Sequence, residues 1–159
     1  MKKTICLLTA LIIAFSCVPA YMGPLIETAE AAITTRPIVH PRSSLMVNIQ
    51  TSDIDRVMMA VRLANTMLDH DKKVTIYLNI EGVQNAWAGQ PQNIHAITGK
   101  TIAQAMTELI ARGATVAACQ MCMSRYGITP AELLPGVIMS SPDFAYYGYM
   151  DMYTQVVTY

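Results

Sequence analysis

The stretch that most constrains the fold runs from Ala114 to Gly127, Ala-Thr-Val-Ala-Ala-Cys-Gln-Met-Cys-Met-Ser-Arg-Tyr-Gly. It opens as a short apolar, β-leaning run directly after Gly113. It then passes through a Cys-x-x-Cys pair, Cys119 and Cys122, and continues in helix-tolerant residues to a second glycine. A buried strand feeding a helix through two thiols is the simplest reading. In open α/β sheets, ligands and chemistry collect where strands end and helices begin. A thiol at that junction sits beside unsatisfied backbone N–H groups and the positive end of a helix dipole. Such a setting favours thiolate, the reactive form. Cys119 is therefore the expected working atom.

The flanking chain alternates in the same manner. Ser44 to Gln50 is a compact apolar run and the first strand. Thr51-Ser52-Asp53 offers N-cap side chains to a helix carrying Val57, Val61, Ala64 and Leu68 at helical spacing, ending near Asp69 to Asp71. Lys73 to Ile80 is the second strand, closing on a turn at Glu81-Gly82-Val83 in which Gly82 supplies an unusual backbone angle. Gln84 to Gly99 reads as a long loop, of a length that suits a lid or binding loop. Thr101 with Gln104 forms a capping box ahead of an apolar helical face, and Gly113 is a natural C′ residue. Thr129-Pro130-Ala131-Glu132 starts one short turn. Val137 to Met139, an aromatic helix over Pro142 to Met152, and Tyr153 to Tyr159 supply a fourth strand, a helix and a last strand. Strands alternating with helices imply a mostly parallel five-stranded sheet with helices on both faces.

The N-terminus reads differently. Lys2 and Lys3, the apolar Ile5 to Phe15 and the small residues Val18-Pro19-Ala20 make residues 1–20 an export signal, with a second cut possible as late as 31–32. The expected location is the periplasm or cell envelope. The apolar segment is too short to span a bilayer. Ala14-Phe15-Ser16-Cys17 matches a lipoprotein signal poorly, so membrane attachment is expected only through a lipid on Cys17. Residues 21–43, with Pro24, Pro37 and Pro41 and no apolar period, read as a poorly ordered linker, and 44–159 as the domain. Formal net charge is zero and only 14% of residues are charged, with no basic stripe, so nucleic acid is not an expected partner.

Removing the signal takes Cys6 and Cys17 with it and leaves Cys119 and Cys122 as the mature thiols. A disulfide between them closes too small a loop to add much stability. Redox, sulfur or metal chemistry explains the pair better. The aromatic residue that usually precedes a thioredoxin-type pair is missing, for Ala118 stands there. Cys119, Met121, Cys122 and Met123 are soft ligands that suit Cu(I), although successive residues point different ways and the two methionines read as core. Two cysteines and scattered histidines make a weak zinc site, and no cofactor is expected. His95, in the loop after the second strand, is placed as a base near the thiols or as a solvated loop residue. His40 and His70 read as surface, Trp87 as lid or subunit packing, and Arg125 as an anion partner or a solvated helix face. Phe144, Tyr146, Tyr147, Tyr149, Tyr153 and Tyr159 crowd the last sixteen residues and suit an oligomer interface beside an exposed last strand.

The strand–loop Val74 to Val83, the segment Gly113 to Val116 with Cys119, Cys122 and Tyr126-Gly127-Ile128, and Glu132-Leu133-Leu134-Pro135-Gly136-Val137 together resemble the DsrE/DsrF-like proteins over residues 44–159. The resemblance implies a flavodoxin-like three-layer α/β/α fold and homo-oligomers, often trimers or hexamers. For the sulfur-relay members it also implies a cysteine that carries sulfur as a persulfide, with a donor or acceptor protein as partner. That cysteine lies eight positions before the motif glycine, which places it at Cys119 with Gly127 as the glycine. Cys122 matches the extra cysteine of a peroxiredoxin-like subset. The leading expectation is sulfur handling by Cys119 with Cys122 as second thiol. The alternatives are dithiol redox and a non-catalytic subunit that binds soft metal or a protein partner.

Overall fold

The computed structural model describes residues 43–159. The export signal, the lipid on Cys17 and all but the last linker residue fall on residues 1–42, outside the described residues. In chain order the elements are β1 (Ser44–Ile49), α1 (Ile54–Asp69), β2 (Lys73–Leu78), a 3-10 segment (Ile80–Ala86), α2 (Ile102–Ala111), β3 (Thr115–Cys119) and α3 (Gln120–Arg125). A 3-10 turn (Pro130–Glu132), β4 (Ile138–Ser140), α4 (Pro142–Met150) and β5 (Thr154–Thr158) complete the chain.

Local signals set these boundaries. The Asp53 side chain accepts the N–H of Arg56 at 2.9 Å and starts α1. Thr101 and Gln104 cap each other at 3.2 and 2.9 Å and start α2. Both α2 and α3 end on a glycine in the left-handed region, Gly113 (φ 95) and Gly127 (φ 67). The next residue's N–H then reaches back into the last turn, Ala114 to the Leu109 carbonyl and Ile128 to that of Met123, each at 3.0 Å.

The five strands lie in the order β4-β3-β2-β1-β5, and every pairing is parallel. The expected α/β sheet is thus parallel throughout, with β5 added on the far side of β1. One face of the sheet (Leu45, Val47, Ile76, Leu78, Val116, Ala118) buries itself against Val57, Val61 and Ala64 of α1 and Met106 and Leu109 of α2. Residues of the opposite parity, Met46, Tyr77 and Ala117, face α4 and pack on Phe144 and Ala145. Each such aliphatic side chain contributes roughly 1.5–3 kcal/mol on burial, so this two-sided core carries most of the stability. Among the described residues no helix is long and apolar enough to cross a membrane.

Two local expectations change. The turn at Glu81-Gly82-Val83 and the first residues of the long loop form one 3-10 segment, and the irregular run covers 87–101. The left-handed angle falls on Ile80 (φ 51), not on Gly82. Gly82 is needed for close approach, because a Cβ there would overlap the carbonyl oxygen of Ile49. Trp87, expected at a lid or subunit contact, bridges Leu133 and packs half-buried against its own core.

Gly82→Ala should lower unfolding free energy by about 2–3 kcal/mol in urea titration, because backbone must move to admit the methyl. Gly148→Ala, whose Cβ would meet the movable end of Met46 at 2.5 Å from Sδ, should cost less. Parental stability for the Gly82 variant would refute the close-approach assignment.

Candidate functional site

β3 ends on Cys119, which is the N-cap of α3 with extended backbone (φ −64, ψ 116). Side chains alternate along a strand, so Cys119 shares the face of Ala117. The parallel register sets Tyr77 beside Ala117 and Ser140 beside Cys119. Tyr77, Cys119 and Ser140 therefore meet on the α4 face at the carboxyl edge of the sheet. With Met121, Ser124 and Pro142 they line an open cavity of about 530 Å³ whose lining holds no charged side chain.

Both thiols are free and half-buried. Cys122, one turn further on, packs against the main core, and its Sγ accepts the N–H of Ile80 at 3.1 Å. Ile80 is β-branched at φ 51, a strained conformation for such a residue. The strain points its N–H at the sulfur, the kind of local cost that gathers at functional sites.

The two thiols are not equivalent. Burial pushes Cys119 up, but the Cys122 thiol, the Cys122 N–H, the Tyr77 hydroxyl and the Met121 N–H outweigh it and hold Cys119 below its ordinary 9.0. Cys122 is pushed above 9.0 by burial, by its hydrogen bond to Cys119 and by the charge there, against the partial opposition of the Ile80 N–H and Arg125. The first proton to leave the pair comes from Cys119. Tyr77 is raised to about 12, first by burial and then by Cys119, so near neutrality it is a phenol that donates.

His95 does not join this site. Its ring is buried, with Nε2 3.2 Å from Asp55 Oδ1 and Nδ1 3.0 Å from Thr98 Oγ1. Backbone bonds between His95, Gly99 and Lys100 turn the loop back onto α1, so His95 lines a separate cavity with Met58, Arg62 and Lys100. It is thus neither beside the thiols nor a solvated loop residue. Met123 is core as expected, whereas Met121 is 82% exposed at the thiol cavity. Arg125 lies 5.8 Å over the Tyr126 ring. Phe144 and Tyr149 flank the Tyr77 ring at 5.9 and 6.5 Å, while Tyr146, Tyr147 and Tyr153 are exposed. Among the described residues no three His, Cys, Asp or Glu side chains are grouped to share a metal ion, so a Cu(I) site would have only Cys119 and Cys122 from that set.

Tyr77 and Ile80 lie within the strand–loop that carries the resemblance but have no role assigned there, and Ser140 lies outside it. The available signal for Tyr77 is the parity of β2, where Thr75-Tyr77-Asn79 alternates with the aliphatic Val74-Ile76-Leu78.

A family model described as DsrE/DsrF-like matches residues 46–158. Among solved structures the chain is similar to the ychN protein from E. coli, with TM-score 0.60 and 20% identity over 74% of this chain and 99% of that one. It is also similar to MTH1491 from Methanobacterium thermoautotrophicum, a protein of unknown function, with TM-score 0.58 and 17% identity over 73% and 98%. At such identities these two likenesses speak for the fold. No curated protein matches in sequence.

Because Cys119 ionises first, iodoacetamide should label it before Cys122, with a pH midpoint below 9.0, followed by mass spectrometry of the peptides. In Cys119→Ala the midpoint of Cys122 should fall relative to the parent, since its raising partner is gone. Equal labelling rates, or a Cys119 that resists the reagent in the folded protein, would contradict this asymmetry.

Proposed function

The chain belongs to the DsrE/DsrF-like family, and from that premise we propose that Cys119 carries or transfers sulfur as a persulfide, with Cys122 as the second thiol. The observation that carries this reading is the half-buried Cys119 thiol on an open, uncharged cavity, held toward thiolate by its neighbours. A thiolate is the competent nucleophile for sulfane sulfur. In loading, Cys119 Sγ attacks a donor S–S bond. One new S–S bond forms on Cys119, and the donor's other sulfur leaves with the electron pair.

Unloading has two routes. An acceptor thiolate attacks the outer sulfur, and Cys119 leaves as thiolate. Alternatively the Cys122 thiolate attacks Cys119 Sγ, forming the internal disulfide and expelling hydrosulfide, after which an external thiol must reduce the pair. The two thiols lie close enough to shift each other's acidity, which favours this second route and equally supports the other reading, a dithiol–disulfide redox protein. The exposed Tyr146, Tyr147, Met150, Met152 and Tyr153 support assembly of several copies through the α4–β5 side. With the N-terminal segment read as an export signal, the proposed setting is the cell envelope.

Polysulfide treatment of the reduced protein should add one sulfur, about 32 Da, to Cys119. The adduct should vanish in Cys119→Ser and persist longer in Cys122→Ser, where internal release is blocked. An internal disulfide with no adduct in either the parent or Cys122→Ser would replace sulfur carriage with redox.

A further inference from the structure

Two hydroxyl side chains, Tyr77 and Ser140, line the same cavity as Cys119, and the sulfur-handling reading does not use them. Ser140 is 3% exposed, and its register partner is Cys119. Tyr77 is 6% exposed, and its ring is clamped by Phe144 and Tyr149 of α4 at 5.9 and 6.5 Å. A ring fixed on two sides has one place for its hydroxyl, the cavity that Cys119 and Ser140 also line. Cys119 pushes the Tyr77 phenol up and Ser140 pushes it down, the signs of a hydroxyl that gives toward the sulfur and is faced by the serine O–H. Hydrogen bonds in series polarise one another, and those ending on a charged atom are the strong ones.

We infer that Ser140 and Tyr77 form a hydroxyl relay that fixes and stabilises Cys119 as thiolate, Ser140 Oγ–H donating to Tyr77 Oη and Tyr77 Oη–H donating to Cys119 Sγ. Tyr77 touches the reacting sulfur and is a catalytic donor. Ser140 acts through it and is a positioning residue. No proton is transferred along the relay. When an acceptor thiolate takes the outer sulfur, the S–S bond breaks, its electron pair moves to Cys119 Sγ, and the Tyr77 O–H is already aimed at the charge that develops. That last role rests on the sulfur-handling reading, whereas the hold on the thiolate does not.

The relay also gives α4 a function beyond covering the sheet. Phe144 and Tyr149 position the donor and do not themselves line the thiol cavity. The other titratable or charged groups facing this cluster are Cys122 of α3, with Arg125 acting on it, and Tyr149 of α4 against the Tyr77 ring.

The test uses the pH dependence of Cys119 alkylation in the full chain. Tyr77→Phe keeps the ring and its two aromatic contacts and removes only the hydroxyl. Its midpoint should rise by about one pH unit, the scale of one hydrogen bond to a charged group. Ser140→Ala should shift in the same direction by less. The double variant should match Tyr77→Phe alone, since Ser140 acts only through Tyr77. Circular dichroism confirms folding of each variant, and Ser140→Ala decides the direction if Tyr77→Phe does not fold. A Tyr77→Phe profile that overlays the parent, an unshifted Ser140→Ala, or additive shifts in the double variant would overturn the relay. Sulfur transfer from loaded Cys119 to a small thiol should also slow about tenfold in Tyr77→Phe. If no variant and no parent loads sulfur, the functional reading fails while the pH profiles still decide the relay.

Discussion

Parallel pairing of β3 between β2 and β4 is the constraint from which the rest of the site follows. The β2–β3 part of the ladder is buried on both faces, so its register is tied to which side chains enter which core. A slip by one residue would turn Cys119 from the α4 face to the α1–α2 face and bury Ala117 and Ala118 on the wrong sides. The same pairing brings Tyr77 and Ser140, 63 residues apart in number, to one sulfur. Nothing in the site is built by a loop alone. It is built by strand ends and by the helix that follows β3.

Two thiols three positions apart become chemically different because each meets a different surrounding. Cys119 stands at the N-cap of α3, where Cys122, Tyr77 and two backbone N–H groups outweigh burial and hold its pKa below the ordinary value. Cys122 turns toward the main core and accepts from the strained Ile80. Environments that push two like groups apart in acidity divide the work between them. The division suits a nucleophile and a second thiol. Gly82 is part of the device, since only a residue without a Cβ lets the 3-10 segment carrying Ile80 close against the end of β1.

Much of the fold was legible because local chemistry announces it. The caps at Asp53 and Thr101, the glycines at 113 and 127 and the apolar periods of α1 and α2 stand where the sequence puts them. The Cys-x-x-Cys pair lies at the strand-to-helix junction, as read. His95 was misplaced because a loop's return path depends on bonds such as His95 to Lys100 and to Asp55, which no period encodes. Tyr77 and Ser140 were missed for the opposite reason. Each looks like an ordinary strand residue, and only the register across three strands makes them neighbours of a sulfur. The aromatic C-terminus divides between core and surface, with Phe144 and Tyr149 against Tyr77 and Tyr146, Tyr147 and Tyr153 left outward.

What unites these features is a single sulfur at the carboxyl edge of a parallel sheet, held toward thiolate and facing an open cavity. The most direct measurement is the intact mass of the protein taken straight from the cell that makes it, under conditions that preserve sulfane sulfur. The account predicts a population heavier by one sulfur atom, located on Cys119 and stripped by a thiol reductant. A protein that carries no extra sulfur at Cys119 under any growth condition, only the free dithiol or the internal disulfide, would contradict it.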